Sequence, residues 1–164
     1  MALRKELKAI DAACWGNSRV RFRPLETEED LIYACYACQL TDEQRELVNP
    51  AWFSVGRAYL CPEDNYPCLI CSERGEPVGF INLATWLGEG DAYSWSYFID
   101  KGQQGKGYGK AAARLAIRLL KAADPEKPIK LATEKDNERA QRLYASLGFQ
   151  LLPELDGEDL VFGL

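Results

Sequence analysis

The chain has 164 residues, 47% of them hydrophobic, and a net charge of −5. That suffices for one domain with a full core, excludes disorder by composition and argues against nucleic acid as a main partner. No apolar run approaches the ~20 residues of a membrane span, and the start, Met-Ala-Leu-Arg-Lys-Glu-Leu-Lys, lacks the apolar stretch of a secretion signal, so a cytoplasmic protein without membrane contact is expected.

Leu3, Leu7, Ile10 and Cys14 share one helical face, which predicts an amphipathic helix over 2–14. It is set apart as an N-terminal extension, residues 1–18, ahead of a single domain over 19–164, with packing and dimerisation as its two candidate roles. Arg19 to Pro24 alternates charged and apolar residues, as an edge strand does. Thr27 is an N-cap, with Glu28, Glu29 and Asp30 favourable in the first turn of a helix running to about Cys38. Thr41 caps a second helical piece, Asn49-Pro50 breaks it, and residues 51–60 are helical again. Residues 62–67 read as a loop, 68–72 and 78–86 as strands joined by a turn over 74–77. A turn over 88–91 then leads into a central strand, 92–100. A helix over 110–121 ends at Pro125 and Pro128. The strand 129–133 is parallel to the central one, because a right-handed crossover connects them. Asp136 or Asn137 caps a helix over 138–147 that Gly148 ends. Two strands, 149–155 and 159–164, close the chain as a hairpin around Asp156-Gly157.

Six cysteines include two C-x-x-C pairs, Cys35/Cys38 and Cys68/Cys71, a spacing that zinc sites use. Cys68 and Cys71 lie in a strand, where residues three apart point to opposite faces. Cys35 and Cys38 lie in an apolar helical segment, and there is no histidine to complete a mixed site. Buried or ordinary free thiols are expected, with no metal.

The chemistry concentrates in Tyr97-Phe-Ile-Asp-Lys-Gly-Gln-Gln-Gly-Lys-Gly-Tyr-Gly-Lys110. An aromatic and β-branched strand runs into a turn with glycine at 105, 107 and 109, then into a run of strong helix formers. The first N–H groups of such a helix have no internal partner and sit at the positive end of its dipole, which makes an anion cradle. A Walker loop is excluded, because Ala111 follows Lys110 and Gln104 stands where the first glycine belongs. Gly107-Tyr-Gly109-Lys-Ala-Ala112 matches a dinucleotide fingerprint, but too little chain follows for a second mononucleotide half. A plain glycine turn without ligand is the third reading.

Gln104-Gly-Lys-Gly107-Tyr-Gly109 also resembles the acyl-CoA pyrophosphate loop, Q/R-x-x-G-x-G/A, of the GNAT superfamily of N-acetyltransferases. Asn137-Glu-Arg-Ala-Gln-Arg-Leu-Tyr144-Ala-Ser-Leu-Gly148-Phe149 is similar to that family's N-x-x-A-x-x-L/F-Y-x-x-x-G-F run, in the same order and at a compatible separation. Phe98-Ile-Asp-Lys, Leu143 to Phe149 and Leu155-Asp-Gly-Glu158 most resemble bacterial diamine or spermine/spermidine N-acetyltransferases. The resemblance implies an α/β GNAT fold: a mixed, twisted sheet with helices on both faces and a parallel strand pair that splays beyond a bulge. It implies acetyl-CoA as co-substrate, a cationic small amine as acceptor, and often a homodimer.

The resemblance places the diphosphate on Gln104, Gly105, Lys106, Gly107, Tyr108, Gly109 and Lys110. It places the pantetheine arm on Phe98, Ile99 and Asp100, with an N–H near Phe98 polarising the thioester carbonyl. Asn137 resembles a residue that contacts the arm, and a helix cap is its other reading. Tyr144 matches the tyrosine that protonates or hydrogen-bonds the departing sulfur, and its other reading is a core aromatic on the stripe Ala140, Leu143, Tyr144, Leu147.

The proton acceptor departs from the pattern. Ser96 stands near the position of a strand glutamate in related polyamine enzymes, and serine is no base at neutral pH. Glu28, Glu29, Glu43 and Asp91 are the acidic candidates for proton removal or for holding further ammonium groups. Trp86, Trp95 and Tyr97 either line the acceptor pocket through cation–π contacts or fill the core. Acetylation of another small amine or a protein amino group, a non-catalytic acyl-CoA-binding module, and a nicotinamide-binding oxidoreductase are the competing functions.

Overall fold

The structure, a computed structural model, describes residues 2–164. One antiparallel sheet has the order β1-β2-β3-β4, with β1 Val20–Pro24, β2 Asn65–Ser72, β3 Pro77–Thr85 and β4 Tyr93–Ile99. A second antiparallel sheet has the order β5-β7-β6, with β5 Lys130–Thr133, β6 Gln150–Asp156 and β7 Asp159–Gly163. The sheets meet at one parallel bridge, Tyr93 to Ile129, where the Tyr93 N–H donates to the Pro128 carbonyl at 2.9 Å.

The splayed parallel pair is therefore present, but it divides two antiparallel sheets rather than lying inside one mixed sheet. No bulge opens it. The β3–β4 register is unbroken from Thr85↔Tyr93 to Gly79↔Ile99, and the irregularity in this sheet falls in β2, between Ile70 and Cys71. Beyond the bridge β5 keeps its pairing with β7, from Lys130↔Gly163 to Thr133↔Leu160, and no longer pairs with β4.

Helix α5, Tyr108–Ala123, crosses the first sheet on a face of Ala111, Ala112, Ala113, Leu115, Ala116, Leu119 and Leu120, all buried. Three adjacent alanines hold the start of this helix close to the strands. Helix α1 is shorter than expected, Leu3–Ala9, because the Asp11 carboxylate accepts from Ala13 N–H and starts a separate 3-10 turn, Ala12–Trp15. Leu3 and Leu7 are fully buried in the same core as α5 and β4, so this segment is continuous with the core of residues 19–164.

On the other face lie α2 (Glu28–Ile32), α3 (Asp42–Leu47) and α4 (Ala51–Leu60). Both expected threonine caps are capping boxes, Thr27 with Asp30 and Thr41 with Gln44. Helix α2 ends early because Tyr33–Ala37 widens into a π turn, closed by Cys38 N–H on the Tyr33 carbonyl at 2.8 Å. β2 begins at Asn65, where Asn82 donates to the buried Asn65 side chain at 3.0 Å, so the expected loop shrinks to Pro62–Asp64. Helix α6, Glu138–Ser146, precedes the β6–β7 hairpin.

Candidate active site

The gap between β4 and β5 is one wall of a cleft of about 850 Å³. Its other walls are α3, the 103–110 loop, α6 and the β6–β7 turn. Which backbone groups of β4 reach it follows from strand parity. Trp86 N–H donates to the Ala92 carbonyl and Asp100 N–H to the Val78 carbonyl, both at 2.8 Å, whereas Tyr93 N–H turns to Pro128. Ser94, Ser96 and Phe98 therefore spend their peptide groups on β3, and Trp95, Tyr97 and Ile99 turn theirs to the cleft. The Phe98 N–H faces β3, away from the role expected of it. The Ile99 carbonyl is already taken by the Gln44 and Gln104 side-chain amides, each at 3.2 Å.

The glycine loop ends where α5 begins, two residues earlier than expected. Gly105 and Gly107 have φ of +77° and +84°, a region that side chains with a Cβ rarely enter, and Gly107 is the N-cap. The first helical bond runs from Ala111 N–H to the Gly107 carbonyl at 3.2 Å. Tyr108, Gly109 and Lys110 thus present N–H groups with no internal partner, beside the Lys110 side chain. Lys106 does not line the cleft, and its amine donates to Gln103 at 3.0 Å. Asp100 does not line it either. Its carboxylate accepts from Gln39 N–H at 2.9 Å and Gly102 N–H at 2.8 Å, tying the loop to the segment after α2. Asn137 is the α6 cap, accepting from Ala140 N–H at 3.1 Å, as its second reading has it, and it also lines the cleft.

Behind the loop, the Arg19 guanidinium donates to the Lys106 carbonyl at 2.5 Å, pairs with Glu73 at 3.0 Å and stacks 5.0 Å from the Tyr108 ring centroid. Asn17 donates to the Ala111 carbonyl at 2.9 Å. Neither residue stood out in the sequence, because their partners are 87 and 94 positions away.

Tyr144 sits on α6, packed against Phe149 and Phe162 with ring centroids 5.9 and 5.6 Å away, and also lines the cleft. Burial pushes its pKa up to about 12, so the phenol stays protonated at neutral pH. Tyr97 is raised too, by burial and then by the neighbouring Tyr144, and its hydroxyl donates to the Gly109 carbonyl at 3.2 Å.

Of the four acidic candidates, only Glu43 lines the cleft. Glu28 and Glu29 lie in the first turn of α2 outside it, and Asp91 pairs with Lys127 at 2.9 Å. Trp95 borders the cleft but is 6% exposed, edge-on to Tyr97 and Phe149, so its side chain mainly fills the core. Glu46, Glu134, Asp156 and Asp159 also line the cleft. A signal for Glu46 existed, three residues after Glu43 on one helix. Asp156 and Asp159 flank the hairpin turn, and only the folded chain brings that turn here. The positive side chains on the lining are Arg57, Lys110 and Arg139. Cys38, Cys68 and Cys71 are buried free thiols, and burial pushes Cys38 up to about 12, far from a thiolate nucleophile. Among the described residues no group of three or more His, Cys, Asp or Glu is gathered as a metal site.

Residues 30–149 match the Acetyltransferase (GNAT) family. A probable spermine N(1)-acetyltransferase of Bacillus subtilis subsp. natto (strain BEST195) is 43% identical over 60 residues, 37% of this chain and 40% of that relative. The aminoglycoside acetyltransferase AAC(6')-Ib, solved in complex with coenzyme A, superposes with a TM-score of 0.65 at 26% identity, covering 88% of this chain and 92% of that one. The spermidine/spermine N-acetyltransferase SpeG of Vibrio cholerae, in mutant forms, superposes with a TM-score of 0.63 at 15% identity, covering 90% of this chain and 92% of that one. 

These matches and the fold agree: the chain belongs to the GNAT acetyltransferase family.

Proposed function

We propose that this chain transfers an acetyl group from acetyl-CoA to a primary amine of a diamine or polyamine of the spermidine/spermine class, by direct attack in a ternary complex. One observation carries the reading. The open edge of β4 runs from the free N–H groups of α5 to the Tyr144 phenol, inside a cleft whose lining carries Glu43, Glu46, Glu134, Asp156 and Asp159.

The residues present fit acetyl-CoA. Three unpartnered N–H groups at a helix start, with Lys110 beside them, suit a diphosphate. The unpaired peptide groups of Trp95 and Tyr97 suit an extended, amide-bearing arm, which adds to the sheet edge as a strand would. When bound, acetyl-CoA supplies the acetyl group as an activated thioester. The N–H groups of Trp95, Tyr97 and Ile99 replace that of Phe98 as candidate donors to the carbonyl. Tyr144 acts as a hydrogen-bond donor to the departing sulfur. Its pKa of about 12 lies well above the about 8.5 of a thiol, so full proton transfer runs uphill. The amine is mostly protonated at pH 7 and must lose a proton before attack. Without histidine, that proton passes to a lining carboxylate, directly or through water, and the remaining carboxylates hold the distal ammonium groups.

Free-thiol release from acetyl-CoA, measured with spermidine, spermine, putrescine, lysine, a basic peptide and an aminoglycoside, tests the reading. The highest kcat/KM is expected with spermidine or spermine. A preference for the aminoglycoside would favour a second polycationic acceptor, to which the likeness to AAC(6')-Ib points. Coenzyme binding with no turnover on any amine would make the chain a binding module instead.

A further inference from the structure

Helix α4 is built inside out. Its inward positions, Ala51, Ser54 and Ala58, are buried and small. Its exposed positions are Trp52, Phe53, Gly56, Tyr59 and Leu60. A surface helix ordinarily turns large apolar side chains inward and charge outward. At about 100° per residue these five positions fall within an arc of about 120°, with Gly56 in the middle. Trp52, Tyr59 and Leu60 are 65%, 85% and 77% exposed. No charge lies on the stripe, since Arg57 turns to the cleft on its flank.

We propose that this face binds a second copy of the chain through α4 against α4 across a twofold axis. The area is right. The four large side chains expose on the order of 500 Å², and Tyr36, exposed on the Tyr33–Ala37 segment that packs against α4, extends the surface towards the ~800 Å² per partner of a standard interface. The shape is self-complementary. A Cβ on Gly56 would meet nothing within 4 Å, so the centre of the stripe is flat, and large side chains stand at both ends. In an antiparallel crossing, the Trp52–Phe53 end of one protomer meets the Tyr59–Leu60 end of the other, with no like charges opposed. The sheet edges suit this less. β6 carries Pro153, Glu154 and a register break, and β1 carries Arg21, Arg23 and Pro24. A lipid surface is disfavoured, because an interfacial helix needs a basic flank and the chain carries a net −5.

Sedimentation of the purified full chain tests this, with Gly56→Glu and Tyr59→Glu beside it. The wild type is expected to be a dimer at micromolar concentration, and each variant to raise the dimer dissociation constant by about a hundredfold. Glu is a better helix former than Gly, so the Gly56→Glu protomer should still fold, as an unchanged circular dichroism spectrum would show. A monomeric wild type, or a dimer that both variants leave intact, overturns the proposal. So does a monomeric wild type that floats with phosphatidylcholine/phosphatidylglycerol vesicles, which would assign the face to lipid.

Discussion

The Tyr144 phenol is held between Phe149 and Phe162, and burial rather than a neighbouring charge keeps it protonated. Removing its hydroxyl should therefore cost rate and leave packing intact. Tyr144→Phe is expected to lower kcat by about 10²-fold with acetyl-CoA affinity kept, as turnover and calorimetry would read. The sign of its pH linkage is fixed as well. A phenol raised from about 10 when unfolded to about 12 when folded stabilises the fold fully below pH 10 and progressively less as pH rises towards 12. Thermal melts of Tyr144→Phe should lose less stability over that window than those of the wild type. Tyr144 was legible in the sequence because its whole motif is local. The cleft-lining Glu46, Asp156 and Asp159 were not, since nothing in their own neighbourhoods says which face of the fold they reach.

Among the elements, the glycine loop was the most legible, because positive φ and the helix start are both local matters. What braces it was not. Arg19 reaches it from the other end of the chain, holding the Lys106 carbonyl and the Tyr108 ring. Arg19→Ala should raise the KM for acetyl-CoA several-fold with little change in kcat, as steady-state kinetics would measure. Arg19→Lys should rescue only part of this, because an ammonium cannot stack on the ring as a planar guanidinium does. The inverted role of Phe98 was beyond the sequence for another reason. Which residues of a strand face a gap depends on register, and a shift by one residue exchanges them all.

At the scale of the molecule, the strand and helix order could be read from hydrophobic periodicity, but the division into two sheets could not, because it depends on how far β5 runs beside β4, which no local pattern encodes. The first 18 residues read as an extension, yet Leu3 and Leu7 are wholly buried in the main core. Leu7→Ala should then destabilise the whole chain by about 2–5 kcal/mol in one cooperative transition, measurable by denaturant melts, rather than fray the N-terminus alone.

Among the described residues, the single rung between Tyr93 and Ile129 is the only backbone pairing between the two sheets, which otherwise meet through side chains of a shared core. A molecule laid along the seam becomes the missing lacing: its amides take up backbone valences that the polypeptide itself leaves idle. A ligand that bridges the seam should therefore add to cohesion across the middle of the protein, beyond what the shared core supplies.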